Sequence, residues 1–287
     1  MKTDAFVRKE QLRQKGSNNG KQRDKCSSTR QFRNIKRVEI GERDCLILQQ
    51  IVRWYSVRTD HLLGSGLFSN YETASHRMGH LASAGLVKHY GPIRQGGAGR
   101  HTATLPGTRM SGAGFRPSNR ANRLDIIDHD HLVMDAAIRL SKQAVGVSDN
   151  ESILWLDSER SLWREFRSGN RPGFGRLPDL RINWANGNRT AVEVDRSIKG
   201  TFAIHRMVES MLTGTPHVAN NWSWYVPGRQ QAEKVEMIVA EYGVDNIISV
   251  FPIQVLNLPR RWEAEPTGQG PLKAIFAVPR GEGVCDE

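Results

Sequence analysis

The sequence predicts an α+β protein, in which a helical unit closed by a hairpin comes first and an α/β layer with a central mixed sheet follows. Three observations carry this expectation. Apolar residues recur at helical spacing from Cys45 to Tyr55 and from Ala74 to Leu81. Strand-like runs flank the glycine-rich stretch from Gly91 to Gly99. From Ile153 onward, strand-like and helix-like segments alternate, the pattern of a layered sheet.

At 287 residues and 38% hydrophobic content, the chain has enough material for two ordinary domains. No run of eighteen or more apolar residues occurs and the first thirty residues are polar and basic, so neither a spanning helix nor a secretory signal is expected. The expected location is the cytoplasm. Cys26, Cys45 and Cys285 are scattered and odd in number, which fits neither a disulfide framework nor a zinc site. The net charge of +11 is concentrated at one end. Residues 1–37 hold twelve Lys and Arg against three acids, a surplus of nine, which leaves only two for the remaining 250 residues. With little apolar periodicity to offset its ordering entropy, the segment 1–41 is read as a disordered basic arm. Such an arm attracts a polyanion by counterion release, and DNA is the expected partner.

The first folded unit is expected over 42–110. Cys45, Leu46, Leu48, Ile51, Val52 and Tyr55 mark a helix, with Glu42 and Asp44 near its start where the dipole favours acids. A short second helix opens at Thr59 and ends at Gly64-Ser65-Gly66. In the third, over Ser69–Leu81, residues Ala74, Met78 and Leu81 fall on one face for the core. Gly85 suits a left-handed C-cap, after which Leu86–Tyr90 and His101–Leu105 read as a hairpin. This helix-helix-helix-hairpin order, with Leu81, Ala84, Gly85, Leu86 and Val87 closing the third helix, resembles winged helix-turn-helix domains over about 65 residues. The resemblance implies that the third helix enters the major groove while the wing touches phosphates. Tyr71, Thr73, His76, Arg77 and His80 would then face DNA, joined by Arg94 and Arg100 of the hairpin.

Residues 106–127, rich in Gly, Pro, Ser, Asn and Arg, are expected to form a linker or a long loop, with the linker between the domains at 111–127. Asp128-His129-Asp130-His131 has the composition of a metal cluster, but Leu132, Val133, Ala136, Ala137 and Leu140 follow at helical spacing. A solvated, acid-capped helix start is the preferred reading.

The second domain is expected over 128–258, with a flexible tail over 259–287. A helix near Asp157–Phe166 carries Glu159 and Glu165. Strands are expected over 177–184 and 189–195, joined at Asn186-Gly187, a strong hairpin signal. A helix over 200–212, a strand over 222–226, a helix over 229–242 and a strand over 247–251 complete the set. Glu193 and Asp195, two apart, project from one face of their strand. A three-residue turn over 186–188 would level Asp179 with Asp195, whereas a two-residue turn would put Asp179 on the opposite face. Clustered carboxylates favour a hard divalent cation able to activate a water. Exposure on a solvated hairpin is the competing reading. The Trp222–Tyr225 run is read as sheet packing in preference to a stacking platform for bases.

Pro178-Asp179, then Glu193-x-Asp195 after a hairpin, with a glutamate on the preceding helix, resembles the PD-(D/E)xK nuclease core. That resemblance implies Mg2+ or Mn2+ held by Asp179 and Glu193, with Glu159 as a third carboxylate. The family's lysine position holds Asp195 here, and Lys199 is the nearest substitute. The two halves together, including Tyr71–Val87, Trp155–Arg160, Pro178-Asp179 and Ala191–Lys199, resemble replication-relaxation proteins of bacterial plasmids and mobile elements over about 42–251. Membership implies DNA binding connected with replication or relaxation, and two classes stay open. One is a metal-dependent endonuclease or nickase. The other is a non-catalytic replication or transcription regulator whose nuclease-like domain is a scaffold or a homodimer contact.

Overall fold

The computed structural model describes residues 39–92, 97–118, 123–145, 152–167, 176–264 and 272–276. The basic arm through residue 38 and Arg94 lie outside the described residues. The fold is α+β.

Helix α1 (Glu42–Arg53) begins where the Gly41 amide donates to Asp44 Oδ2 at 2.9 Å. A two-residue strand β1 (Val57–Arg58) and helix α2 (Thr59–Gly64) follow. Helix α3 (Tyr71–Ser83) starts at Asn70, whose side chain accepts from the Thr73 amide at 2.8 Å. It ends at Gly85, which takes φ 73 as expected, with Leu86 N bonded back to the Leu81 carbonyl at 2.9 Å. Ala74, Met78 and Leu81 are its buried residues. Strands β2 (Val87–Tyr90) and β3 (Arg100–Ala103) are antiparallel, and β3 also pairs with β1, giving the order β1-β3-β2.

The stretch expected as a linker holds ordered helix at both ends. Thr104 caps a helix α4 (Leu105–Met110) by accepting from Gly107 N at 3.2 Å. Helix α5 (Leu124–Gln143) starts before Asp128, so the Asp128–His131 run sits inside it. Asp130 and His131 are buried there, which overturns the reading of a solvated start. Position within the helix decides this, because α5 packs Ile127, Val133, Met134, Ala137 and Ile138 into the core and carries its neighbours inward.

The main sheet has five strands in the order β4-β5-β6-β7-β8. They are β4 (Ile153–Ser158), β5 (Leu180–Trp184), β6 (Arg189–Val194), β7 (Asn221–Val226) and β8 (Ile248–Pro252). The first three are antiparallel neighbours, and β6, β7 and β8 are parallel. Helix α6 (Glu159–Arg167) follows β4 directly, so Asp157 and Ser158 belong to the strand and not to the helix expected there. Helix α7 (Thr201–Val218) links β6 to β7, and helix α8 (Arg229–Glu241) links β7 to β8.

One core runs from α1, α2 and α3 through α5 to Leu156, Leu180, Ile182, Val192 and Val194 of the sheet. A second, around Ala191, Trp222, Trp224 and Val226, fills the space beneath α7 and α8. The first core includes Trp262, Leu272 and Ile275, so the C-terminal stretch expected to be flexible is packed at these points. A methyl on Gly64 would fall 2.7 Å from the Trp262 ring, so the glycine at the end of α2 makes room for that indole. The segment Arg37–Glu287 is one compact unit, and the expected boundary at 111–127 does not part its core.

Candidate functional site

The acidic residues singled out from the sequence meet at the ends of β5 and β6. The hairpin pairs Leu180 with Val192 and Asn183 with Arg189. Its turn is Ala185–Gly187, closed by Trp184 N donating to the Asn188 carbonyl at 2.9 Å, with Gly187 at φ 83. The turn thus lies one residue earlier than expected. Continuing the register levels Asp179 with Glu193, where Asp195 had been expected, and the required odd-numbered match is kept.

Each acid has its own partners. Asp179 Oδ1 is 3.0 Å from His129 Nε2, and Oδ2 accepts from the Val194 amide at 2.8 Å. Glu193, with 1% of its side chain exposed, is clasped by both arms of Arg176, whose Nε lies 3.1 Å from Oε2. Asp195 accepts from Trp224 Nε1 at 2.9 Å and pairs with Lys199 Nζ at 2.8 Å. Lys199 therefore reaches the cluster from the turn before α7. Glu159 lines a small cavity with Asp179, His129 and Tyr55. Its backbone amide donates to the Asp179 carbonyl at 2.9 Å, while its carboxylate lies 3.3 Å from Trp163 Nε1. Tyr55 holds φ 62, a left-handed backbone uncommon for a bulky residue.

The electrostatics follow from two buried carboxylates, Glu193 and Asp195, beside the half-buried Asp179. Burial, then the charge of Asp179, push the Glu193 carboxyl up to about 8, against the pull of Arg176. Burial works against charge on His129, but its bond to Asp179 and the charges of Asp179, Glu193 and Asp130 outweigh it and raise the imidazole to about 9. Burial likewise opposes charge on Arg176, and Glu193 overcomes it. Glu193 shifts upward despite the guanidinium because it is fully buried and faces Asp179 and Asp195 as well.

The residues that complete this site, His129 and Arg176, were not singled out from the sequence. His129 belongs to the run read as a helix start. Arg176 precedes Leu177-Pro178-Asp179 without any spacing that marks it. Together they bear on the metal implied for Asp179 and Glu193. All four oxygens of these two acids already accept from protein groups, and the Arg176 guanidinium holds both oxygens of Glu193. Among the described residues no group of three or more His, Cys, Asp or Glu side chains is arranged to hold a metal ion. As arranged, the residues do not fit a divalent cation, which would have to displace Arg176 or His129.

The second group lies on and around α3. Thr73, His76 and His80 are exposed, and the two imidazoles sit 4.3 Å apart. Arg77 turns toward α1, where it binds Asp44 with two nitrogens and reaches the Glu39 carbonyl at 2.7 Å. Burial alone would raise Asp44, but Arg77 and the Gly41 amide hold it below the usual carboxylate range. Tyr71 is half-buried beneath Arg261, whose guanidinium lies 3.7 Å from the ring centre. Arg100, on β3, stacks on Tyr90 at 5.0 Å and donates to the Gly91 carbonyl at 3.2 Å.

Comparison of the chain with family models, with curated proteins and with solved structures finds no match.

Proposed function

We propose that this chain is a DNA-binding protein connected with plasmid or mobile-element replication or relaxation, reading duplex DNA through the exposed face of α3. One observation carries the reading. Helix α3 buries Ala74, Met78 and Leu81 and turns Thr73, His76 and His80 outward, in a helix-helix-helix-hairpin order that resembles winged helix-turn-helix domains. The net charge of +11 supports a polyanionic partner. The order α5-β4-α6-β5-β6-α7-β7, with β4, β5 and β6 antiparallel and β7 parallel to β6, resembles the PD-(D/E)xK core and supports the replication-relaxation reading. In that reading the acidic cluster is an internally neutralised scaffold, and the protein acts in the cytoplasm as a regulator, alone or as a homodimer.

Mobility shifts with mixed-sequence duplexes test this. Wild type is expected to shift duplex at low ionic strength, and the triple substitution Thr73→Ala, His76→Ala, His80→Ala is expected to weaken the complex without changing the circular dichroism. Failure of wild type to shift any duplex would end the reading.

A second reading, metal-dependent cleavage, is favoured by Asp179 lying level with Glu193. It requires Arg176 or His129 to give way. Nicking of supercoiled DNA with Mg2+ or Mn2+, abolished by both Asp179→Ala and Glu193→Ala, is the result that would support it. Absence of nicking leaves the scaffold.

A further inference from the structure

Helix α6 carries a pattern that neither reading uses. Arg160, Trp163, Arg164 and Arg167 recur at i, i+3, i+4 and i+7, which places them on one side of the helix. The other side is committed to the fold, since Ser161 and Leu162 are buried and Glu165 pairs with Arg181 at 2.6 Å. Trp163 is 41% exposed, and the Arg167 guanidinium lies 5.7 Å from the centre of its ring. Arg160 and Arg164 lie 4.8 and 5.4 Å from the ring of Phe115. Arg160 also reaches the Arg116 carbonyl, and Arg164 donates to the Ala113 carbonyl at 2.8 Å. These contacts fix the guanidinium planes against aromatic faces, with Trp163, Arg164 and Arg167 still at the surface.

We propose that this face of α6 is a docking surface for an unpaired DNA strand, with Trp163 stacking on a base and Arg164 and Arg167 meeting the flanking phosphates. The partner class follows from the chemistry. Guanidinium groups spaced around an exposed indole match alternating phosphates and bases, and base stacking on an aromatic is worth roughly 1–3 kcal/mol. Nine helical residues span about 13 Å, room for two or three nucleotides. The direction is set as well. Glu159, the first residue of α6, lines the cavity that holds Asp179 and His129, so a strand lying along the helix would lead to the acidic cluster. The inference rests on the DNA-binding reading for its partner, but uses none of the α3 residues.

The test is fluorescence anisotropy of labelled oligo(dT) with the full chain, alongside a duplex of the same length. Trp163→Ala is expected to weaken oligo(dT) binding at least five-fold, the lower end of the stacking range, and Trp163→Phe to restore most of it. Arg164→Glu with Arg167→Glu is expected to weaken it further and to flatten its salt dependence. All three residues are exposed, and circular dichroism checks that the variants fold. Duplex binding that survives these changes, yet is lost in the α3 triple variant, supports two separate surfaces. Oligo(dT) binding unchanged by the α6 substitutions overturns the proposal while leaving the duplex reading intact, as does duplex binding with no oligo(dT) binding at all.

Discussion

Asp135 concentrates more of the fold's polar demand than its sequence neighbours suggest. It accepts from Arg58 at 2.7 and 3.0 Å and from Trp262 Nε1 at 2.7 Å, and it pairs with His61 at 3.1 Å. Burial would push its carboxyl up, but His61 and Arg58 hold it down at about 2. One side chain thus ties β1, α2, α5 and the C-terminal stretch together. Replacing Asp135 with Ala leaves the buried His61 ring and the Trp262 indole N–H without this acceptor and leaves Arg58 with Asp60 alone, and the expected cost is about 1–3 kcal/mol for each unsatisfied group in urea unfolding. Little of this was legible in the sequence, where Asp135 stands among Met134, Ala136 and Ala137 as an unremarkable helix position. Contacts between residues 60, 135 and 262 carry no local signature. The same holds for His129 and Arg176, whereas Asp179, Glu193 and Asp195 were legible because their spacing on strands fixes which face they take.

Helix and strand signals were read well where they were local. The third helix and its Gly85 terminator depend on residues close in sequence, as does the hairpin around Asn186-Gly187, whereas the Asn70 cap was not singled out. Losing the Asn70 side chain removes an acceptor for an α3 amide, and Asn70→Ala is expected to lower stability by about 1 kcal/mol in the same measurement. The stretch after β3 misled because glycine and proline are also used inside packed elements. Pro106 sits in the first turn of α4, where a missing amide costs nothing, and Gly107 lies so close to β2 that an added methyl would overlap the Leu86 carbonyl. Gly107→Ala is accordingly expected to destabilise the protein by about 1–3 kcal/mol, the usual penalty for overpacking, although alanine is the better helix former. Improved stability in that variant would show that α4 is not held against the strand.

At the scale of the whole molecule, titratable groups in two regions set opposite pH limits. His101 is lowered to about 3 by burial and then by His89, and burial foremost also lowers His61 and His131. Groups lowered in the fold stabilise it above their unfolded value near 6.5, and that contribution is lost as pH falls toward their folded values. His129 and Glu193 are raised, to about 9 and about 8, so their contribution is complete below the unfolded values and disappears as pH rises through 8 to 9. Stability measured by urea unfolding is therefore expected to peak near pH 6.5 and to fall as pH rises toward 9, with His129→Phe softening the alkaline fall. The shared core that joins both halves further implies a single unfolding transition for Arg37–Glu287, a unity that the glycine-rich middle of the sequence conceals.

The reading of α3 as the duplex-binding element is tested most directly by hydroxyl-radical footprinting of the full chain, free and with duplex DNA at low ionic strength. His76 and His80 are exposed in the free protein and are expected to lose reactivity in the complex, while His205 on α7 keeps its own. A complex that leaves His76 and His80 as reactive as before would contradict the account.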